Sequence, residues 1–592
     1  MKQLFQTIIL FSLTWTLQAQ NQLLVEAESF IDKGGWVTDP QFVEQMGSPY
    51  LMAHGMGEKV ANATTKVKFK DTGEYHVWVR TKNWVPGKWA APGQFQLMVE
   101  GVALKTTFGI TPGWTWEYGG TVDIKSKKAE IQLVDLTGFN GRCDAIYFSQ
   151  TKEQPPASGE VLSMWRKGKL SETPAPETEK TYDLVITGGG LAGCAAAIAA
   201  AEQGLNVALI HDRPLLGGNA SSEIRVHTLG IYGKFERILK LIDTKHYPNG
   251  SSEAKLDQEK RDRNMKNIKN VTLFLNWRAY DAKATNDRIE YVDARNTTTG
   301  ERMRFRAPRF VDSTGDGWIG FWAGAEFSYG RESVDTYGEE WEKWGELWSP
   351  EEADNFVMGS SVLWQTEKKD TPQSFPVLPW AKDVSNDHVA IAGEWYWEFS
   401  RNDLHQIHDA EEIRDHMLRA IYGSFSNAKR LSENEKYKLE WVSYLVGKRE
   451  SRRLVGDHVF TFNDVTNYTK FPDSVVMEKR EVDVHFQQNL QDASKPDFLS
   501  KALFYHTDKY YIPYRSLYSK NISNLFMAGR NFSCSHVGLG GPRVMLTTGQ
   551  MGAAVGFAAY LCKKYNVEPR EIYTKYLKEY MELIENQQWT QG

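Results

Sequence analysis

Cysteine is scarce in this chain. Four in 592 residues are too few for a disulfide framework in a protein of this length, and none stands at a metal-ligating spacing. An excess of charge is missing too. A net charge of −5 gives no electrostatic case for nucleic acid or an anionic membrane surface. Long apolar runs are also absent. The stretch Ile8 to Trp15, broken by Ser12 and Thr14, falls well short of the roughly 20 residues a membrane span needs, and no later segment is long and apolar enough to span. With Lys2 before it and Leu17-Gln18-Ala19 after it, it predicts a signal peptide over 1–20 and an exported protein, periplasmic or extracellular. There is no cysteine for a lipid anchor and no twin-Arg pair for export in the folded state.

Tryptophan is abundant, at 20 residues, and the length suggests about three domains. From 21 to 150 the pattern is all-β. Val77 and Val79, then Phe95, Leu97 and Val99, then Ile131 and Leu133 alternate with polar residues between glycine turns, which predicts a β-sandwich. The opening Val25-Glu26-Ala27-Glu28 and the closing Cys143-Asp144-Ala145-Ile146-Tyr147-Phe148 resemble the ends of jelly-roll carbohydrate-binding modules. That resemblance implies a structural calcium at Glu28 and Asp144. Trp84, Trp89, Trp114 and Trp116 lie in turn-rich segments. They supply either a sugar-stacking surface or the packing of the sandwich on its neighbour. Residues 151–180, with Pro155, Pro156, Pro174 and Pro176, read as a partly extended linker.

The chain is organised around Tyr182 to Ser222. An apolar run, Leu184 to Ile186, leads into Gly188, Gly190 and Gly193 at G-x-G-x-x-G spacing. An Ala-rich helix opening with Leu191 and Ala192 follows, then a second strand, Val207 to Ile210. The first glycine allows a tight turn, the second lets a pyrophosphate approach the backbone, and the third seats the helix on the sheet. Free N–H groups at the helix start favour phosphate. This predicts a dinucleotide site. The ribose contact falls on His211 or Asp212. The loop Asp212-Arg213-Pro214-Leu215-Leu216-Gly217-Gly218-Asn219-Ala220-Ser221-Ser222 resembles that of succinate dehydrogenase/fumarate reductase-like flavoproteins and, more closely, FAD-dependent oxidoreductases. There it passes over the pyrophosphate, which implies roles for Arg213, Gly218, Asn219, Ser221 and Ser222.

The resemblance continues downstream. It implies an adenine contact near Ala279. Val311-Asp312-Ser313-Thr314-Gly315-Asp316-Gly317 matches the second nucleotide motif, with Thr314, Gly315 and Asp316 at the cofactor. Asn524-Leu525-Phe526-Met527-Ala528-Gly529-Arg530 and His536-Val537-Gly538-Leu539-Gly540-Gly541-Pro542-Arg543 match the last one. They imply contacts from Gly529, Arg530, Leu539 and Gly540, with a helix starting near Pro542 and aimed at the flavin. Between these motifs, residues 331–430 read as an inserted substrate domain. Glu394-Trp395-Tyr396-Trp397-Glu398, taken as extended, puts both tryptophans on one face, flanked by carboxylates that accept hydroxyl hydrogen bonds and repel a dianion. The basic string Val446 to Arg453 resembles a family segment near the active site, so Arg449 and Arg452 are candidates to hold substrate; solvated surface charge is the plainer reading.

The predicted fold is a three-layer, Rossmann-type α/β FAD-binding domain, residues 181–330 and 431–592, with an inserted cap and an N-terminal all-β sandwich. The predicted function is oxidation of a carbohydrate or glycoside hydroxyl, with hydride passing to FAD and on to an unidentified acceptor. His536 is the leading acid/base candidate, or else a brace for the cofactor loop. Arg543 and Arg225 are candidates for substrate or flavin contact. Redox-neutral glycan cleavage and glycan binding without catalysis are the alternatives.

Overall fold

The computed structural model describes residues 21–245 and 247–586; residues 1–20, where a signal peptide is expected, lie outside them. Five strands form a central sheet: β1 (Leu184–Thr187), β2 (Val207–His211), β3 (Val271–Leu275), β4 (Arg309–Asp312) and β5 (Leu525–Met527). Their order is β3-β2-β1-β4-β5, all parallel. Short, mostly apolar strands suit such a sheet because both of its faces are covered. The pleat sorts the side chains between two cores. Leu184, Ile186, Val207, Leu209 and Val311 pack with α1 (Leu191–Glu202) and α2 (Met545–Tyr565). Val185, Ala208, Ile210 and Phe310 pack with an antiparallel meander, Trp277–Thr285, Arg288–Asn296 and Arg302–Arg306. Helices, sheet and meander make the expected three layers.

The two helices approach closely because their contact is made of small residues. A Cβ on Gly552 would collide with the carbonyl of Ala192, and one on Gly556 would lie 2.6 Å from that of Ala196. Helix α2 begins at Met545 rather than near Pro542, because residues 537–543 turn instead of winding into it.

Residues 21–150 form two antiparallel sheets. Six strands lie in one, including Gly73–Thr81 and Phe139–Ser149, and four in the other, including Phe95–Val99 and Lys128–Asp135. Val77, Val79, Phe95, Leu97, Val99, Ile131 and Leu133 all fall in the core between them, which is sandwich packing. The calcium expectation meets a different arrangement. Arg80 and Arg166 reach the Asp144 carboxylate at 2.8 and 2.9 Å, and Arg166 also pairs with Glu26. A guanidinium thus supplies the positive charge at this end of the sandwich. Burial, next to Glu26, pushes the Glu28 carboxyl well up, and no metal-holding group of three or more such side chains occurs among the described residues.

Arg166 belongs to the stretch read as a linker. That stretch contains a helix, Gly159–Lys169, and a strand, Thr178–Thr181, paired with the meander. Its prolines lie on either side of the helix, where they do not obstruct it. Leu162 and Trp165 pack on the outer face of the sandwich with Trp78, Trp116 and Tyr147.

The region around 331–430 is built on the helix Ala410–Ala428 and short strand pairs, among them Trp364–Lys368 with Tyr437–Val442. Its core includes residues of the sandwich: Trp84, Val85 and Phe139 pack with Trp364, Trp380, Trp397, Met417 and Ile421. A buried ion network crosses the same boundary. Arg142 reaches Glu411 at 2.8 Å and Asp415 at 2.5 Å, Arg414 reaches Asp39 at 2.8 Å, and Lys82 reaches Glu411 at 3.0 Å. Three cations meet three carboxylates. Stranding one charge of such a buried set costs about 3–5 kcal/mol, so sandwich and cap hold each other in place. The tryptophans offered for sugar stacking have packing or hydrogen-bond partners within the protein. Trp84 packs edge-on to Trp380, Trp114 donates to Glu411, Trp116 packs on Trp165, and Trp89 donates to the Val85 carbonyl.

Candidate functional site

A cavity of about 310 Å³ opens at the carboxyl ends of the parallel strands, where open α/β sheets take their ligands. Gly188 has φ +105°, and a Cβ there would collide with the Ser313 carbonyl. A Cβ on Gly193 would collide with the carbonyl of Gly188. These two glycines make the turn and seat α1. Gly190 differs: its φ of −68° suits any residue, yet a Cβ would meet nothing within 4 Å. Its space belongs to the cavity. Leu191 and Ala192 line the same wall and bring first-turn N–H groups that have no partner within the helix.

The glycine loop closes over this turn. Gly217 bridges to Gly190, Gly217 to Asn219 line the cavity, and Asn219 donates to the Lys448 carbonyl at 3.2 Å. Ser221 and Ser222 stand behind the lining, with the Ser222 N–H on Gln258 at 3.1 Å. Arg213 is on the wall and pairs with Glu223 at 3.1 Å.

His211 and Asp212 separate clearly. The His211 ring braces the two loops: Nδ1 accepts the Gly189 N–H at 3.1 Å and Nε2 faces the Leu215 carbonyl at 2.9 Å. Asp212 lies on the wall, 3.2 Å from Arg278, at the strand end where a ribose carboxylate belongs. Burial lowers the His211 pKa from 6.5 to about 4, against the pull of Asp212. A protonated Nδ1 would confront the Gly189 N–H, donor to donor. The unfolded chain takes up this proton first, so the ring's contribution to stability is complete above pH 6.5 and is lost as the pH falls toward 4. Cofactor is expected to leave the protein within that window, as read by flavin in the filtrate after ultrafiltration. His211→Asn, which has no proton to gain, should show a flat profile; retention by the parent protein down to pH 4 would remove the ring as the brace.

Ala279, Thr314, Gly315, Asp316, Gly529 and Arg530 all line the cavity. Burial works against an ionised Asp316, but Lys448 at 2.8 Å and Arg530 at 2.6 Å prevail and hold its carboxyl far below the usual range. Leu539 and Gly540 are not in the lining; a Cβ on Gly540 would press on Val482 and Asp483 of the neighbouring hairpin.

Three further arginines line the cavity: Arg449, Arg480 and Arg543. A buried chain of charges joins them. Arg449 meets Glu398 at 3.2 Å, Glu398 meets His485 at 2.8 Å, and His485 meets Asp483 at 3.0 Å. Asp483 in turn meets Arg480 at 2.9 Å and Arg543 at 3.1 Å. A carboxylate thus faces each ring nitrogen of His485. Each of the three arginines keeps a buried Nε–H with no protein partner. Burial lowers the Arg449 pKa to about 10, against the pull of Glu398.

The aromatic strip is not extended as expected; only Glu398–Phe399 is strand. Trp395 lines the cavity and stacks on Arg449, with 4.1 Å from guanidinium to ring centre. Trp397 is wholly buried in the cap against Trp364 and Phe498, and Glu394 is exposed. Glu398 is buried against Arg449 and is not in the cavity lining, so it does not flank the cavity as a free carboxylate. Arg225 is withheld from the cavity: it pairs with Glu440 at 3.1 Å and lies on Trp441. Arg452 donates to the Asp316 carbonyl at 3.2 Å between Trp318 and Phe321, behind the wall. His536 is also outside the lining. Glu450 holds its Nδ1 at 2.8 Å, Glu332 holds its backbone N–H at 2.9 Å, and its Nε2 is buried without a partner.

Several wall residues escaped sequence reasoning. Lys448 was visible only as part of the basic string, and Arg480, like His485 behind the wall, carried no signal. Gln41, Phe42, Glu44 and Gln45 line the cavity from the sandwich, and nothing in that segment marks it as cofactor-facing. The open space at Gly190, the helix N–H groups and Asp212 fit FAD, the group the sequence resemblance implies.

Comparison with known proteins agrees. The model of the family described as FAD dependent oxidoreductase matches residues 183–581, more than half of the chain. Among curated proteins, an NADH:fumarate oxidoreductase of Klebsiella pneumoniae is 30% identical over 102 residues, 17% of this chain and 11% of that protein. A urocanate reductase of Eggerthella lenta is 38% identical over 98 residues, 16% of each chain. The matches therefore span only a small part of these relatives' length. Among solved structures, an Escherichia coli quinol fumarate reductase FrdA variant is 12% identical with a TM-score of 0.28, covering 69% of this chain and 75% of that one. A family 35 carbohydrate binding module of Clostridium thermocellum is 17% identical with a TM-score of 0.18, covering 22% of this chain and 96% of that one.

Proposed function

The chain belongs to the FAD dependent oxidoreductase family, and we propose that it is an exported enzyme that oxidises a hydroxyl of an acidic carbohydrate, a uronate or its glycoside. FAD, when bound, supplies the two-electron chemistry by accepting hydride. The chain supplies binding, orientation and proton handling.

The observation that carries the substrate class is the cluster of guanidinium groups that Arg449, Arg480 and Arg543 bring to the cavity lining. A guanidinium edge matches the oxygens of a carboxylate. Asn249 and Thr548 on the same wall offer partners to hydroxyls, and Trp395 offers an aromatic face to a sugar ring. A neutral polyol leaves the arginines unanswered, and a small dicarboxylate makes no use of the aromatic face. The curated relatives named for fumarate and urocanate, both carboxylates, accord with the arginine wall. His536, which stands behind the lining, is the candidate base in this reading: with Glu450 on Nδ1, Nε2 is the nitrogen left to accept a proton.

Anaerobic mixing with matched neutral glycosides, uronides and succinate, followed by flavin bleaching, tests this. A uronide is expected to bleach the flavin at least about tenfold faster than its neutral counterpart, with Arg480→Ala narrowing the margin. Equal rates for the neutral and acidic sugars would defeat the substrate class, and a lead for succinate would move it to small dicarboxylates. Cleavage of a glycoside with no bleaching would favour the redox-neutral reaction instead.

A further inference from the structure

We propose that the N-terminal sandwich is part of the cofactor site, with Glu44 acting through Arg278 to hold the adenosine end of bound FAD. The family match begins at residue 183, so Glu44 lies outside everything that match describes. The inference rests on the cofactor and is independent of the substrate.

One turn of the sandwich, Val43–Met46 with Gln41 and Phe42 before it, forms a section of the cavity wall. It is stapled to three separate parts of the flavin-binding half and cap. The Glu44 carboxylate takes Arg278 at 2.6 Å through Nη2 and at 3.2 Å through Nε. Gln41 accepts the Val446 N–H at 2.9 Å and donates to the Tyr444 carbonyl at 3.1 Å, fixing the stretch that lines the cavity there. Gln45 donates to the Ile407 carbonyl at 3.3 Å, another wall position.

The first staple matters most for the cofactor. Arg278 also reaches Asp212 at 3.2 Å, so a single guanidinium bridges a sandwich carboxylate and the strand-end carboxylate suited to a ribose. Glu44 sets where that guanidinium lies. Without Glu44, Arg278 is left with Asp212 alone and can collapse onto the carboxylate the ribose needs. Behind the turn, the Arg142, Arg414, Glu411, Asp415 and Asp39 network locks the sandwich to the cap. Bound FAD in turn stabilises the docked sandwich, because a ligand that binds only the docked form stabilises docking.

The test uses the full-length chain stripped of FAD and retitrated, with flavin fluorescence as the readout. Glu44→Ala and Arg278→Ala should each weaken FAD roughly tenfold or more, a charge-assisted contact's worth. The double variant should be little worse than either single one. FMN, which lacks adenosine, should bind Glu44→Ala as well as it binds the parent. Thermal midpoints of the apoproteins, and the milder Glu44→Gln, separate a folding defect from a binding defect. Hydrogen exchange of residues 41–47 should slow when FAD is added. An unchanged FAD affinity in Glu44→Ala, an equal loss of FMN affinity, or exchange at 41–47 indifferent to FAD would each overturn the assignment.

Discussion

Gly190→Val is expected to yield a folded protein without flavin. The backbone at Gly190 has φ −68°, which valine adopts freely, and a Cβ built there touches nothing within 4 Å. The fold therefore has no quarrel with a side chain at 190. The cofactor does, since the space the side chain would enter is where a pyrophosphate approaches the backbone. Flavin absorbance per mole of purified protein should fall at least about tenfold, with the unfolding transition of the apoprotein unmoved. Gly188→Ala provides the contrast. There φ is +105° and the new methyl meets the Ser313 carbonyl, so stability itself should drop by more than about 1 kcal/mol. If Gly190→Val keeps its flavin, the glycine turn is not the pyrophosphate site.

His536→Asn should slow flavin bleaching by the best substrate by roughly 10²–10⁴-fold at unchanged flavin content, the usual contribution of a general base. The argument is the buried Nε2 with no protein partner, held ready by Glu450 on the opposite nitrogen at 2.8 Å. A histidine that merely braced the cofactor loop would give another pattern. Flavin content and thermal stability would fall together, and the bleaching rate per bound flavin would hold. Because asparagine keeps a polar group toward Glu450, the two patterns are separable in one variant.

What was legible in the sequence is what local sterics dictate. Gly188 and Gly193 announce themselves because no other residue fits their backbone positions, and β1, β2 and the sandwich strands show their burial as runs or alternation. Exposure of a particular side chain is a tertiary matter. Trp395 and Trp397 are indistinguishable as letters, yet one faces the cavity and the other fills the cap core. Arg225 and Arg449 are equally basic, yet a glutamate and a tryptophan from a remote strand occupy the first. The Glu398, His485 and Asp483 relay draws on separate segments, so no window of sequence contains it. The prolines of 151–180 suggested a tether because they flag interruption; they bound a helix whose Arg166 is locked into the sandwich.

The order of strands in the central sheet constrains how the protein can be made. Strand β5 pairs with β4, but the chain between them runs through all of residues 313–524, so this is a distant pairing and slow to form. Until Leu525–Met527 arrives, β4 presents a bare edge, Arg530 is missing from beside Asp316, and α2 is absent from its layer. A chain emerging amino end first completes its sandwich long before its cofactor sheet. The nucleotide turn at 188–193 is thus written early and becomes usable late. Any truncation short of Met527 leaves a half-built sheet with an open edge, the kind of surface on which unfinished chains associate.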